Sequence, residues 1–181
     1  MNPIEKLHQD VITARKNYIN LVKGFSYEQG AFKPATEVWS ASEITEHLFH
    51  AEFGGIWAMW KALEGNQNGN PTWKEAHHNK GLTIEEVVDK TWKTKEQAPQ
   101  SAVPRLGGPI NFWISTLESC QTQLNKLTAS LKDFDLETII YPHPISGPLD
   151  ARQRYEFLRF HIDRHRTQVE KLLQHPDFHH Y

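Results

Sequence analysis

Four segments of the sequence repeat apolar residues at alternating steps of three and four, the spacing that places them on one face of an α-helix. The stripes begin at Ile4, Ile44, Trp113 and Tyr155, and each continues for about five helical turns. Four amphipathic helices of this length can bury their apolar faces only against one another. We therefore predict an all-α fold, a four-helix bundle that forms a single domain over residues 1–181.

Residues that cap helix N-termini indicate where the helices begin. A capping residue followed three positions later by Glu or Gln occurs at Ser40–Glu43, Thr83–Glu86 and Asp150–Gln153. The first of these pairs predicts a second long helix that runs to about Leu63 and ends before Gly65. The last pair predicts a final helix that continues to Leu173. The middle pair predicts a short accessory helix that ends before Pro99.

The connection between the second and third long helices is long enough to cross the bundle, at about forty residues, and such a crossover lets those two helices run parallel. Residues 65–81 are rich in Asn, Gly and Lys and are predicted to form an exposed loop. The third long helix is expected to begin after Gly107, Gly108 and Pro109. Before the final helix, residues 139–141 could pair briefly as a strand.

Composition and charge narrow the classes of function. The formal net charge is −2, from 20 basic and 22 acidic side chains mixed along the chain, so no basic stripe favours nucleic-acid binding. No window is apolar enough to span a bilayer, and the N-terminus lacks the apolar run of a signal peptide. Cys120 is the single cysteine. These features predict a cytoplasmic protein with neither nucleic-acid nor membrane partners.

Three histidines occupy positions that belong to the apolar stripes. His165 lies in the final helix between Ile162 and Val169, in a slot that the stripe would otherwise fill with an apolar residue. His161 lies one turn before it on the same face, with the Cβ atoms about 5–6 Å apart. His47 holds an equivalent inward position in the second long helix. The pattern thus predicts three imidazoles facing the interior from two helices.

Two interpretations of these histidines are open. Each ring could be an ordinary core histidine bonded to a carboxylate or a carbonyl. However, each unpaired ring nitrogen costs roughly 1–3 kcal/mol when buried, and one divalent cation would satisfy three rings at once. For the three together we favour the metal. Three neutral ligands leave the charge of the ion intact and a coordination position open, as in catalytic sites.

Two stretches carry a resemblance to a known family. WSASEITEHLFHAE, from Trp39 to Glu52, and FHIDRHRTQVEKL, from Phe160 to Leu172, resemble the DinB/YfiT-like superfamily of metal-binding four-helix bundles. In that family a histidine follows the Trp-Ser helix start by about two turns, and a His-x3-His pair lies on the final helix. Here these positions are His47, His161 and His165.

The resemblance implies a crossover bundle that is frequently a homodimer and that binds zinc, nickel or another divalent ion, with iron and manganese as alternatives. Some members are transferases or isomerases that use a low-molecular-weight thiol, and others are described as metal-dependent hydrolases. Our first hypothesis is therefore an enzyme whose metal activates a thiol or water for S-transfer or hydrolysis of a small molecule. The alternative is a non-enzymatic metal-binding bundle with a structural, sensing or interaction role.

Other polar residues near the histidines have competing explanations. Glu43 precedes His47 by one turn and Gln168 follows His165 by three residues, so either could orient a ring or handle a proton in catalysis. Glu43 is also explained by its capping box, and Gln168 by a place at the core margin. Cys120 could be a nucleophile, but its position on an apolar stripe favours packing.

The helical angle separates other aromatic and polar residues of the second long helix from His47. His50 and Glu52 point away from His47 on a helical wheel, which argues against a site role for either, and His50 is expected to be a boundary residue. Trp57 could form a wall beside the metal, although aromatic residues at helical spacing usually belong to a core or an interface.

Overall fold

The computed structural model describes residues 2–93 and 97–179. Four long helices form the bundle, and two shorter helices and a two-stranded hairpin join it. In chain order the elements are α1 (Pro3–Val22), α2 (Tyr27–Ala31), α3 (Ala41–Gln67), α4 (Ile84–Thr91), α5 (Ile110–Leu131), β1 (Ile140–His143), β2 (Gly147–Asp150) and α6 (Ala151–Leu173). The all-α bundle with an accessory helix is thus confirmed, with α2 as a small element that the sequence pattern did not predict.

The helices α3 and α5 run parallel. Near the start of α3, Glu46 bonds the backbone of Gly107, which leads into α5. Near the end of α3, the side chain of Asn66 bonds the carbonyl of Thr138, which follows α5. The crossover between them therefore spans the length of the bundle, as predicted. Since α6 runs antiparallel to α3, Gly55 approaches Leu158 while His47 lies farther along α6, beside His161.

The helix starts follow the capping residues. The Ser40 hydroxyl accepts from the Glu43 N–H, and the Glu43 carboxylate accepts from the Ser40 N–H. Equivalent boxes open α4 at Thr83 and α6 at Asp150. Gly65, however, does not end α3, which continues to Gln67. A side chain at position 65 would lie 2.7 Å from the Asn70 carbonyl oxygen, so the glycine permits the following chain to fold back closely.

The four predicted apolar stripes meet in one core. Among its largest fully buried side chains are Tyr18, Leu48, Leu117, Leu124 and Tyr155. Some polar groups beside this core pair with one another: Tyr155 shares a hydrogen bond with Thr128, and Arg15 forms a buried ion pair with Glu52. None of the helices in the described ranges combines the length and apolarity needed to cross a membrane.

The antiparallel hairpin of β1 and β2 places Tyr141 opposite Leu149 and leads directly into α6. The sequence predicted that the loop before α4 is exposed, but part of this loop is buried. Asn79 is buried and donates to the carbonyls of Ser146 and Pro148, at 2.8 and 2.9 Å. The prediction failed because loop composition does not reveal that a buried amide satisfies hairpin carbonyls, which would otherwise lack donors.

Candidate metal centre

The three histidines predicted to face the interior come together between α3 and α6. The Nε2 atom of His161 lies 3.1 Å from Nε2 of His47 and 3.1 Å from Nε2 of His165. All three side chains are buried. Each offers a ring nitrogen, and these nitrogens lie within 4.8 Å of one another. Helix geometry explains the pair on α6, and the antiparallel packing of α3 supplies the third ring.

The spacing of these nitrogens suits a shared metal ion. With zinc–nitrogen bonds of about 2.0–2.1 Å, two ligands are separated by roughly 3.3 Å in a tetrahedral site and about 2.9 Å at right angles. The observed 3.1 Å lies between these values. Each of these two pairs of rings is therefore spaced to share an ion, and the third separation, between His47 and His165, lies within 4.8 Å.

The hydrogen bonds of the three rings cannot all be satisfied within the cluster. The Nδ1–H of His47 donates to the Ala102 carbonyl at 2.7 Å, so its Nε2 carries a lone pair. The Nδ1 of His165 bonds Oε1 of Gln168 at 2.8 Å, which gives its Nε2 a lone pair as well. His161 can donate one proton from Nε2 to only one of these two neighbours. A cation between the rings removes this conflict, because it accepts all three lone pairs.

The rings are also held in the protonation state that binds metal. Burial lowers the pKa of His47 and takes the pKa values of His161 and His165 well below the ordinary range. Mutual repulsion among the rings and the charge of Arg164 lower the pKa of His161 further. Neutral imidazole is the form that ligates a metal. The cluster is therefore ready to bind a cation at neutral pH.

A cavity of about 400 Å³ opens beside the three rings. Its walls come from α3, α6, the hairpin and the crossover segment, and most of them are apolar. Phe157 stacks on His161 with ring centroids 5.2 Å apart, and the Trp39 ring lies 4.9 Å from that of His47. Trp57 lines the cavity while remaining half exposed. The size and lining match a small-molecule pocket.

Glu46 holds the end of the crossover segment, residues 105–107, close to this site. The sequence pattern did not predict this role of Glu46. Its fully buried carboxylate accepts from the N–H groups of Arg105, Leu106 and Gly107 at 2.7–2.9 Å. Burial by itself raises the pKa of Glu46, but the three donors outweigh it and lower the pKa overall. The same segment carries the Ala102 carbonyl that orients His47.

Of the two residues predicted to assist catalysis, Gln168 lies at the site and Glu43 does not. Gln168 lines the cavity and contacts His165 directly. The Glu43 carboxylate instead binds its capping partner and Lys33, the latter at 3.0 Å, and Glu43 is not among the residues that line the cavity. A catalytic role for either residue stays a prediction.

Three further residues, His50, Glu52 and Cys120, were considered in the sequence, and the structure gives their positions relative to the cavity. His50 is partly exposed and lies outside the cluster of three rings, and it lines the cavity because the cavity extends around α3 beyond the helical face of His47. Glu52 does not line the cavity and forms an ion pair with Arg15. Cys120 is buried, and burial raises the pKa of its thiol to about 12, which agrees with a packing role.

The chain is similar to a known protein family and to a curated relative. Residues 11–169, which include the three histidines, match the DinB superfamily. The chain is 27% identical over 166 residues to the uncharacterized protein YuaE of Bacillus subtilis strain 168, which covers 88% of this chain and 92% of that protein. No solved structure gives a significant match. The relative carries no assigned reaction, so the reaction must be argued from the site.

Proposed function

The chain belongs to the DinB superfamily, and we propose that it is a metal-dependent enzyme in which His47, His161 and His165 hold one divalent ion beside a small-molecule cavity. The observation that carries this proposal is the meeting of three buried Nε2 atoms whose hydrogen bonds cannot all be satisfied within the protein. A divalent ion held there supplies Lewis acidity and lowers the pKa of a coordinated thiol or water.

The residues around the rings prepare the site for this chemistry. The Ala102 carbonyl and Gln168 fix the ring orientations of His47 and His165 through their Nδ1 atoms. Such outer partners maintain ligand geometry and basicity. Trp39 and Phe157 cover the rings with apolar surface, which limits water around the reacting atoms and strengthens electrostatic interactions there.

The charges of the cavity favour thiol transfer over hydrolysis. Of the described residues that line it, none is an aspartate or glutamate, whereas Arg154 and Arg164 are cationic. Hydrolysis at a metal site commonly employs a carboxylate as general base, and the described lining offers none. A thiol needs only stabilisation of its anion, which a positive lining provides. We therefore propose transfer of a low-molecular-weight thiol to a small electrophile, with zinc or nickel as the metal.

Elemental analysis of protein purified without a His-tag tests the metal site. We expect about one equivalent of zinc or nickel in the wild type, since the three rings define one site. The His161→Ala variant should lose the metal. His50→Ala is the matched control, because His50 also lines the cavity but lies outside the cluster. Wild-type protein that binds no divalent ion after reconstitution would remove the basis of the proposal.

A paired activity screen tests the reaction. Metal-loaded protein should consume small thiols in the presence of an aryl halide or epoxide, and this turnover should disappear after chelation. Hydrolysis of nitrophenyl esters serves as the comparison reaction. If the loaded protein turns over neither substrate type while His161→Ala strongly lowers the melting temperature, the non-enzymatic bundle is the better description.

We also propose that the protein is a homodimer. Phe53 and Phe112 are each 54% exposed, which leaves aromatic surface on α3 and α5. Light scattering should give a mass of about twice 21.0 kDa, and a monomeric mass at micromolar concentration would contradict this proposal.

A further inference from the structure

A buried arginine shares the cavity with the three histidines. Arg154 lies on α6, seven residues before His161 and therefore on the same helical face. Only 6% of its surface is exposed, and it lines the cavity. Its Nη2 donates to the carbonyls of Tyr141 and Pro142, at 3.3 and 3.0 Å.

The charge of this arginine is not neutralised within the described part of the chain. There it forms no ion pair with a carboxylate, and its Nε is buried without a hydrogen-bond partner. Burial lowers the pKa of Arg154 to about 10, so the guanidinium still carries its charge at neutral pH. Carbonyl oxygens solvate a cation but do not compensate its charge. A buried cation in this state costs several kcal/mol.

The attachment of the hairpin to α6 explains only some of the hydrogen-bond donors of the Arg154 side chain. That task requires donors to the carbonyls of Tyr141 and Pro142, and Nη2 alone supplies them. The other nitrogens of the guanidinium, and its charge, have no role in this contact. An anion entering the cavity would supply the missing negative charge.

We propose that Arg154 binds a carboxylate group of the substrate and so positions it beside the histidine cluster. This inference rests on the proposed function, because it assigns the far end of the same cavity. Seven residues of helix span about 10 Å, so the carboxylate lies roughly that far from the reacting atom. The apolar walls between them suit a short hydrocarbon spacer. A single uncompensated charge matches a monoanion, and the planar guanidinium matches a carboxylate.

Binding of matched probes to metal-free protein tests the assignment. Hexanoate and hexanamide have nearly the same shape but differ in charge, and Trp39, Trp57 and Trp92 line the cavity as fluorescent reporters. We expect chelator-treated wild type to bind hexanoate about ten- to a hundredfold more tightly than hexanamide, as charge-assisted hydrogen bonds require. Arg154→Gln should abolish this preference while its amide still bonds the hairpin carbonyls.

Controls separate the arginine from its surroundings. Arg159→Gln removes a charge from the same helix outside the cavity, where Arg159 pairs with Glu85, and should keep the preference. His161→Ala should also keep it, which excludes the imidazole cluster as the anion site. If Arg154→Gln does not fold, Arg154→Lys retains a cation and should retain a preference for hexanoate.

The outcomes distinguish this inference from the proposed function. Equal binding of hexanoate and hexanamide by the wild type, or an unchanged preference in folded Arg154→Gln, would overturn the assignment. Tighter binding of hexyl phosphate than of hexanoate would replace the carboxylate with a phosphate. Because the probes bind metal-free protein, a failure of metal binding would refute the proposed function without altering this result.

Discussion

Replacement of Glu46 by glutamine should loosen the crossover segment and, through it, the metal site. Oε1 of Glu46 accepts from the N–H groups of Arg105 and Leu106, and Oε2 accepts from that of Gly107. Glutamine keeps one oxygen, so two of these bonds become neutral. Its amide nitrogen is a donor and would face the Gly107 N–H, so the third bond is lost.

The magnitude follows from these three bonds. Hydrogen bonds to a charged group contribute about 1.5–3 kcal/mol each, and neutral ones about 0.5–1.5 kcal/mol. Weakening two bonds by about 1 kcal/mol each and losing a third gives roughly 4 kcal/mol. A neutral amide costs less to bury than a carboxylate, which offsets part of this loss. We expect a net decrease of about 2–3 kcal/mol in the free energy of unfolding, or about 4–12 °C in melting temperature.

Urea unfolding of the metal-free proteins measures this loss. Glu118→Gln is the matched control, because Glu118 is exposed on α5, and it should change stability by less than about 0.5 kcal/mol. A second readout follows from the Ala102 carbonyl, which orients His47 and lies in the same segment. Glu46→Gln should lower zinc affinity about tenfold. A Glu46→Gln protein as stable as the Glu118→Gln control would refute the reasoning.

Three further changes test other parts of the structure. Asp150→Asn keeps the capping oxygen but removes a carboxylate whose pKa burial raises above 3.8. Since the wild type loses stability as the pH rises through that raised pKa, urea melts should show the variant more stable than the wild type at pH 7 and equally stable near pH 3. Gln168→Leu removes the acceptor of the His165 Nδ1–H, so chelator competition should show zinc affinity about 10–100-fold lower; unchanged affinity with reduced turnover would instead indicate proton transfer. Gly54→Ala adds a methyl group that meets no atom within 4 Å, and thermal melts should show a gain of about 0.5–1 kcal/mol.

Features that depend on local sequence were predictable. A capping box is complete within four residues, so Ser40 and Asp150 identified the starts of α3 and α6 without knowledge of the tertiary fold. The pairing of His161 with His165 follows from the helical repeat alone. His47 could be predicted to join this pair, because it belongs to an apolar stripe that faces inward and a single bundle has only one interior.

Features that depend on distant segments were not predictable in this way. Glu46 and Arg154 are both buried where they bond backbone groups. Because every residue has a backbone, the side-chain pattern of a sequence does not identify which backbone groups will be the partners. The place of His50 in the cavity wall could not be predicted, because a helical wheel gives a direction from the axis of α3 but not the extent of the space beyond it. The end of α3 was predicted too early, because Gly65 does not stop the helix. It instead allows the Asn70 backbone to approach closely.

Several costly features of this bundle lie around one cavity, and their coincidence is itself an argument for function. The histidine cluster leaves ring nitrogens in conflict, and Arg154 carries a buried charge for which the described residues supply no counterion. On α3, Gly54 and Gly55 place two consecutive glycines in the interior of a helix, at about 1 kcal/mol each relative to alanine. A chain selected for stability alone would replace each of these with an apolar side chain. Since all of them line the same space, an occupant that uses the ring nitrogens, the charge and the open volume together explains their presence.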